Sequence, residues 1–211
     1  RVCSAKSCKI CRNRVGEECV VPLKKRRKYA ILEKIYRKKN FCAKGGRSMK
    51  KVLFVDCCIR REASRSKELA EYFIQKLEET GAYEIERLCL MDENLSYFSD
   101  GFFFQREALL AEGKFDHPRF RYAHRFAAAD KIVIAAPFWD LSFPALLKVY
   151  IENLCVDGIT FHSDETGLHG LCKADHMVFL TARGGIYTDS PMEQGARYLE
   201  QMAAFFGIAK F

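Results

Sequence analysis

Three short, uninterrupted apolar runs constrain this chain more than anything else in it: VLFV at 52–55, IVIAA at 132–136 and MVFL at 177–180. Each is too short for a buried helix and too apolar for a strand with one wet face, and each is followed by a segment of helical periodicity. Such runs predict parallel strands buried on both sides, and so an α/β sheet with helices on each face. Residues 83–88 form a further strand, placed nearer an edge by the polar side chains of Glu84, Glu86 and Arg87.

The helices show in the spacing. Leu69, Phe73 and Leu77, with Ala70 and Ile74, share one face of a helix that Gly81 ends as a C-cap. A second helix is expected over 120–128. Ser142 is the expected cap of a third, carrying Leu146, Leu147, Tyr150, Ile151 and Leu154. Ser190, Pro191 and Glu193 supply the cap, first-turn proline and capping-box acid of a last helix running to Gly207, after which IAKF begins a fifth strand. The order of units predicts a flavodoxin-like doubly wound parallel sheet, truncated before its fifth strand is complete. In such a sheet ligands bind outside the carboxyl ends of the strands.

Charge divides the chain at Met49. Before it lie 16 of the 35 Lys and Arg and 3 of the 27 Asp and Glu, a net +13; from Met49 onward 19 face 24, a net −5. Residues 1–48 read as a basic, Cys-containing leader, untranslated or disordered, and 49–211 as one domain. The leader reading rests on KGGRSM, since a purine-rich ribosome-binding site translated in frame gives Lys-Gly-Gly shortly before a starting methionine. Two other readings of 1–48 compete. KKRRK and YRKK, with a helix over 29–39, could form a nucleic-acid arm, although nucleic acid is not the expected partner. Cys3, Cys8, Cys11 and Cys19 could hold a metal, but neither a second CxxC pair nor a histidine accompanies them. No apolar run reaches the ~20 residues needed to span a bilayer, and no secretory apolar region precedes the domain, so a cytoplasmic protein with reduced thiols is expected.

Three turns on the ligand-binding edge are chemically unusual. CCIRREASRSKEL places Ser64 and Ser66 where a helix begins, with Arg60, Arg61 and Arg65 nearby, so that hydroxyls, free N–H groups and the helix dipole can meet a phosphate. The motif matches neither a P-loop nor a dinucleotide fingerprint. APFWDLSFPALLK ends a strand on Phe138 and Trp139, able to wall a flat heteroaromatic ring or simply to close the core. TARGGIYTD lets the backbone approach a ligand at Gly184 and Gly185 and offers the Tyr187 hydroxyl as a donor.

The segments MKKVLFVDCCIRREASRSKELAEYF, AAPFWDLSFPALLKVYIENLCVDGITF and FLTARGGIY together resemble the flavodoxin-like NAD(P)H:quinone oxidoreductase and FMN-dependent NADH-azoreductase family, over essentially all of 49–211. The resemblance implies an FMN-bound homodimer. NADH or NADPH would reduce the flavin by ping-pong hydride transfer, and a small-molecule acceptor, a quinone, azo compound or nitroaromatic, would take two electrons. It assigns Cys58, Ser64, Arg65 and Ser66 to the FMN phosphate loop, and Phe138, Trp139, Asp140, Leu141, Ala182, Arg183, Gly184 and Gly185 to the surroundings of the isoalloxazine. Cys58 stands where azoreductases commonly have Ser, and a thiol beside a phosphate is not expected to be a nucleophile. Asp140 stands where they commonly have Asn; an ionised carboxylate there would lower the flavin potential.

Tyr187 is the candidate for polarising or protonating the acceptor, alongside a purely structural role. Residues 92–117 are expected to be a long lid or subunit-contact loop. Phe102, Phe103 and Phe104 within it could wall the acceptor site, with core packing the preferred reading. His162 and His169 lack a ligand partner, so no metal is expected. The competing function class is a flavodoxin-type electron carrier without NAD(P)H activity.

Overall fold

This computed structural model describes residues 49–187 and 189–211; the readings of residues 1–48 as leader, nucleic-acid arm or metal site lie outside them. The described chain runs β1 (Lys50–Asp56), α1 (Arg65–Glu78), β2 (Tyr83–Cys89), α2 (Asp100–Ala111), α3 (Arg121–Ala128) and β3 (Lys131–Ala135). It continues through α4 (Ala145–Leu154), β4 (Phe161–Asp164), β5 (Gly167–Gly170), β6 (His176–Leu180) and α5 (Gly195–Phe205). The main sheet has the order β2-β1-β3-β6, every neighbour parallel. Lys210 then bridges His176 in parallel, and Met177 N donates to Lys210 O at 2.8 Å, so IAKF does enter the next strand position. That is the doubly wound order with its switch between β1 and β3.

The apolar runs are buried as their composition demands. All five residues of β3 are buried, and Val52, Leu53, Phe54 and Val55 of β1 are within 2% of complete burial. Leu53, Val55, Ile132, Ile134 and Met177 form one cluster with Tyr122 and Phe126 of α3, Leu147, Tyr150, Ile151 and Leu154 of α4, and Leu199 and Ala203 of α5. The pleat turns Val52 and Phe54 to the other face, where α1 lies across the sheet and buries Ala70, Phe73, Ile74 and Leu77. Each such side chain contributes ~1.5–3 kcal/mol of burial, which is why the helical stripe and the strand runs fix the layering together. Gly81, at φ +67°, lets the chain leave α1 in the left-handed region.

Four expectations are corrected. Ser142 does not cap α4: Pro144 holds the N-cap position with no side-chain cap, and the backbone of Ser142 is committed to a tight turn with Trp139. The Ser190 box does not open α5 either. Ser190 closes a separate turn by accepting from Met192 N, and the helix begins five residues after it, at Gly195, with Glu193 accepting from Ala196 N. Residues 92–117 are not a structureless loop, since they contain α2. Core packing is also not the fate of Phe103 and Phe104: both are exposed, and α2 buries no residue. The helix was illegible because its apolar residues form a run rather than a stripe.

The β4–β5 hairpin was likewise missed, because its strands are four residues long and mostly exposed. It packs where only glycine fits: a Cβ on Gly170 would lie 2.0 Å from Gly207 N, at the end of α5.

Candidate functional site

The carboxyl edge of β1, β3 and β6 is built from the three unusual turns. After β1, the backbone of Cys57 still donates to Ala135 O at 2.8 Å and Cys58 N turns back onto the Asp56 carboxylate at 2.8 Å. Ser64 takes an extended conformation and caps α1 by accepting from Lys67 N at 3.4 Å. This leaves the first N–H groups of α1, those of Arg65 and Ser66, directed out of the helix end. Burial, and then the Asp56 charge, push the Cys58 thiol well above its usual range against a hydrogen bond from Ser64, so it is a neutral thiol. The cations divide: Arg61, at φ +52°, is spent on Asp92 at 2.7 Å, whereas Arg60 and Arg65 are exposed. Lys67 spans Glu62 at 2.6 Å and Asp56 at 3.5 Å.

Ser66 carries the first turn to the third. Its Oγ, on a side chain almost fully buried, accepts from Ala182 N at 3.0 Å across 116 residues of sequence. Its own hydroxyl proton remains available to a ligand oxygen.

After β3, Trp139 and Ser142 exchange both backbone hydrogen bonds, Trp139 N to Ser142 O at 3.2 Å and Ser142 N to Trp139 O at 2.7 Å. The two residues between them, Asp140 and Leu141, have φ of +49° and +64°. A two-residue turn with both central residues left-handed is the type I′ geometry. Asp and Asn visit that region readily, but Leu does so at a cost of ~1–2 kcal/mol. The turn is held from outside by Gln194 N donating to Leu141 O at 2.9 Å. It lifts Trp139 and Leu141 into solvent at the rim, each about two-fifths exposed.

After β6, Arg183 lies over the Phe138 ring, its guanidinium carbon 5.3 Å from the centroid, and Phe138 packs on Tyr187 at 4.6 Å. Gly185 leaves room for the Tyr187 ring, which a Cβ there would meet at 3.3 Å; Gly184 faces open space. Arg183 Nη2 donates to Glu193 Oε1 at 3.1 Å, and Glu193 is nearly buried.

The edge thus brings Ser66, Phe138, Leu141, Ala182, Arg183 and Tyr187 into contact with one another or with the same two loops, while Arg65 and Gly184 are at the rim without contacts of this kind. Two residues escaped the sequence reading as members of the edge, Asp56 and Glu193, while Thr181 stood in the third turn without being singled out. Only Glu193 carried a signal, as the acid of the Ser-Pro-x-Glu box. Two polar atoms here, Thr181 Oγ1 and Arg183 Nε, are buried without a hydrogen-bond partner among the described residues. Such an atom costs ~1–3 kcal/mol, so two on one ligand-facing edge are evidence of capacity held for a polar ligand. Among the described residues no group of three or more His, Cys, Asp and Glu is placed to hold a metal, and no helix is long and apolar enough to cross a membrane.

Residues 50–211 match the family model described as a flavodoxin-like fold. The chain is 41% identical over 168 residues to the FMN-dependent NADH:quinone oxidoreductase 2 of Clostridium acetobutylicum, covering 77% of this chain and 84% of that protein. It is 38% identical to an FMN-dependent NADH:quinone oxidoreductase of Clostridium perfringens, covering 76% and 82%. Among solved structures, an azoreductase from Bacillus anthracis aligns at a TM-score of 0.67 with 31% identity, over 76% of this chain and 83% of that one.

Proposed function

The chain belongs to the flavodoxin-like fold family, and from that premise we propose that residues 49–211 are the FMN-binding domain of an NADH-dependent oxidoreductase that reduces a quinone. The observation that carries the reading is the Ser66–Ala182 hydrogen bond of 3.0 Å. It joins a turn chemically suited to a phosphate to a turn suited to a ring edge, with the orphaned Thr181 hydroxyl and Arg183 Nε beside it.

The residues present fit FMN. The N–H groups of Arg65 and Ser66 and the hydroxyls of Ser64 and Ser66 would hold its phosphate at the positive end of α1. Cys58, a neutral thiol, adds only a weak donor to that loop. Phe138 and Trp139 would wall the ring, with the backbone of the Asp140–Leu141 turn and of residues 182–185 along its edge. FMN, when bound, supplies the hydride acceptor and donor that no side chain here provides. The chain's own task is orientation, exclusion of water and placement of a proton donor, for which Tyr187 O–H is the candidate.

The overall change is NADH + H⁺ + quinone → NAD⁺ + hydroquinone. Nicotinamide and acceptor would use the same open side of the edge in turn, the ping-pong order, and a flat azo or nitroaromatic acceptor would stack on the same aromatic rim. NADPH would serve only if the rim accommodates its extra phosphate. A homodimer would cover the exposed aromatic side chains of α2, Phe103 and Phe104, with neighbouring Tyr97.

The test is the visible spectrum of the full chain, incubated with FMN and gel-filtered, before and after adding NADH and then a quinone. A yellow protein that bleaches with NADH and recolours with quinone supports the reading; a folded protein that stays colourless removes it. A stable one-electron intermediate during reductive titration would point instead to a flavodoxin-type carrier. Ser66→Ala should weaken FMN binding by ~10–30-fold, the worth of one hydrogen bond to a charged group, and should also cost ~1–3 kcal/mol in unfolding free energy, because Ala182 N loses its acceptor.

A further inference from the structure

We propose that Glu193 is a positioning residue that masks the charge of Arg183 and so sets the site's preference for uncharged over anionic acceptors. This rests on the reading of the carboxyl edge as the flavin and acceptor site.

Glu193 lies in the loop before α5 with a side chain only 7% exposed. Both of its oxygens accept from Ala196 N, at 3.0 and 3.1 Å, and Oε1 also accepts from Arg183 Nη2 at 3.1 Å. The carboxylate is therefore fixed from two directions, by the start of a helix and by the loop after β6. Helix capping does not require a charge here, since the amide oxygen of a glutamine could accept from Ala196 N equally well. What a carboxylate adds over an amide is one negative charge, and the cation placed to receive it is Arg183.

The pair has a direction. Glu193 draws the guanidinium along the Phe138 ring, 5.3 Å from its centroid, and Phe138 in turn packs on Tyr187 at 4.6 Å. Arg183 thus reaches the aromatic floor on which an acceptor would stack, with its Nε buried and without a partner among the described residues. An unpaired guanidinium in that position would attract sulfonated or carboxylated aromatics. Paired at 3.1 Å, the two charges cancel beyond a few ångströms, and the edge presents N–H donors without a net field. Donors of that kind suit a quinone carbonyl.

The experiment titrates the oxidised, FMN-loaded full chain with 2-naphthalenesulfonate and with uncharged 2-naphthol, neither of which is reduced, and follows the flavin absorbance. In Glu193→Gln the sulfonate should bind about tenfold tighter relative to naphthol than in the wild type, as expected for one charge unmasked in a partly solvated site. A purely structural cap would weaken both ligands together, and an unchanged ratio overturns the proposal. If Glu193→Gln does not fold, Arg183→Gln carries the test with the opposite sign: it exposes Glu193, so the sulfonate should bind about tenfold weaker relative to naphthol, and again an unchanged ratio overturns the proposal. Glu193→Asp, which keeps the charge, must keep the wild-type ratio. A wild-type protein that holds no FMN refutes the flavoenzyme reading instead, before either ratio is measured.

Discussion

The two ends of the parallel sheet handle polar groups in opposite ways. At the amino end, Lys131 is buried with its Nζ 2.7 Å from Asp175 Oδ1, and His176 Nδ1 meets the same oxygen at 2.7 Å. Lys50 approaches the other oxygen at 3.6 Å, and Asp130 accepts from Lys51 N at 2.8 Å while pairing with Lys173 at 2.9 Å. These contacts tie the starts of β1, β3 and β6 together. At the carboxyl end, Thr181 Oγ1 and Arg183 Nε have no partner among the described residues, Asp140 and Leu141 hold left-handed backbones, and Trp139, Leu141, Ile186 and Met192 are exposed. One end uses its charges to close the fold; the other keeps hydrogen-bonding capacity and strain in reserve. Strain and unsatisfied groups persist only where the surrounding structure over-determines them, which accords with the ligand-binding role proposed for this edge.

Removing the hub of the closed end should give the largest change. Burial alone would raise the Asp175 pKa, but the hydrogen bonds from Lys131 and His176 outweigh it and bring it down to about 2. Asp175→Ala leaves the buried Lys131 without this acceptor. We expect a loss of about 2 kcal/mol in urea unfolding, reduced from the cost of breaking a fully buried pair because Asp175 is half-exposed. FMN binding, at the other end of the sheet, should be unchanged. A loss below about 0.5 kcal/mol, or a loss of FMN, would erase the contrast between the ends.

The contrast also explains what could be read in advance. Buried strands and amphipathic helices follow from local periodicity, so β1, β2, β3 and β6 were visible as 52–55, 83–88, 132–136 and 177–180, the core faces of α1 and α4 as stripes, and α3 as a helix over 120–128. The three turns were visible as chemical oddities on one predicted edge. Contacts between turns were not: the Ser66–Ala182 bond spans 116 residues, and Glu193 appeared only as a helix cap. The closing network at the amino end was invisible for the same reason, since Lys131, Asp175 and His176 meet only after β3 and β6 pair.

A smaller effect should appear with pH at the closed end. Burial, with the Lys131 and Lys210 charges, lowers the His176 pKa against the pull of Asp175. A histidine whose folded pKa is depressed binds fewer protons folded than unfolded. Stability is then lost as pH falls through the unfolded value of about 6.5 towards the lower folded one, at a slope of at most about 1.4 kcal/mol per unit. His176→Gln should flatten the stability profile below about pH 6.5, above the range in which Asp175 titrates. Asp175 acts at lower pH, its contribution fading from about pH 4 towards 2. A variant profile parallel to the wild type over the higher window would show that His176 is as well solvated as the exposed histidines, and that the amino end is less closed than its distances imply.

The smallest effect tests the open end. Leu141 at φ +64° costs ~1–2 kcal/mol in backbone strain, of which glycine would return part to the unfolded chain's entropy. Leu141→Gly should therefore raise the unfolding free energy by at most about 1 kcal/mol, although it deletes an apolar side chain. A core position responds with the opposite sign, because there the deleted side chain leaves a cavity. The same substitution should speed FMN dissociation, since a glycine turn holds the Trp139–Ser142 rim less rigidly. Greater stability with weaker cofactor retention would mean that the strain at this turn maintains the site. A destabilised variant would mean instead that Leu141 packs as part of the fold, and the open end would lose one of the features that separates it from the closed one.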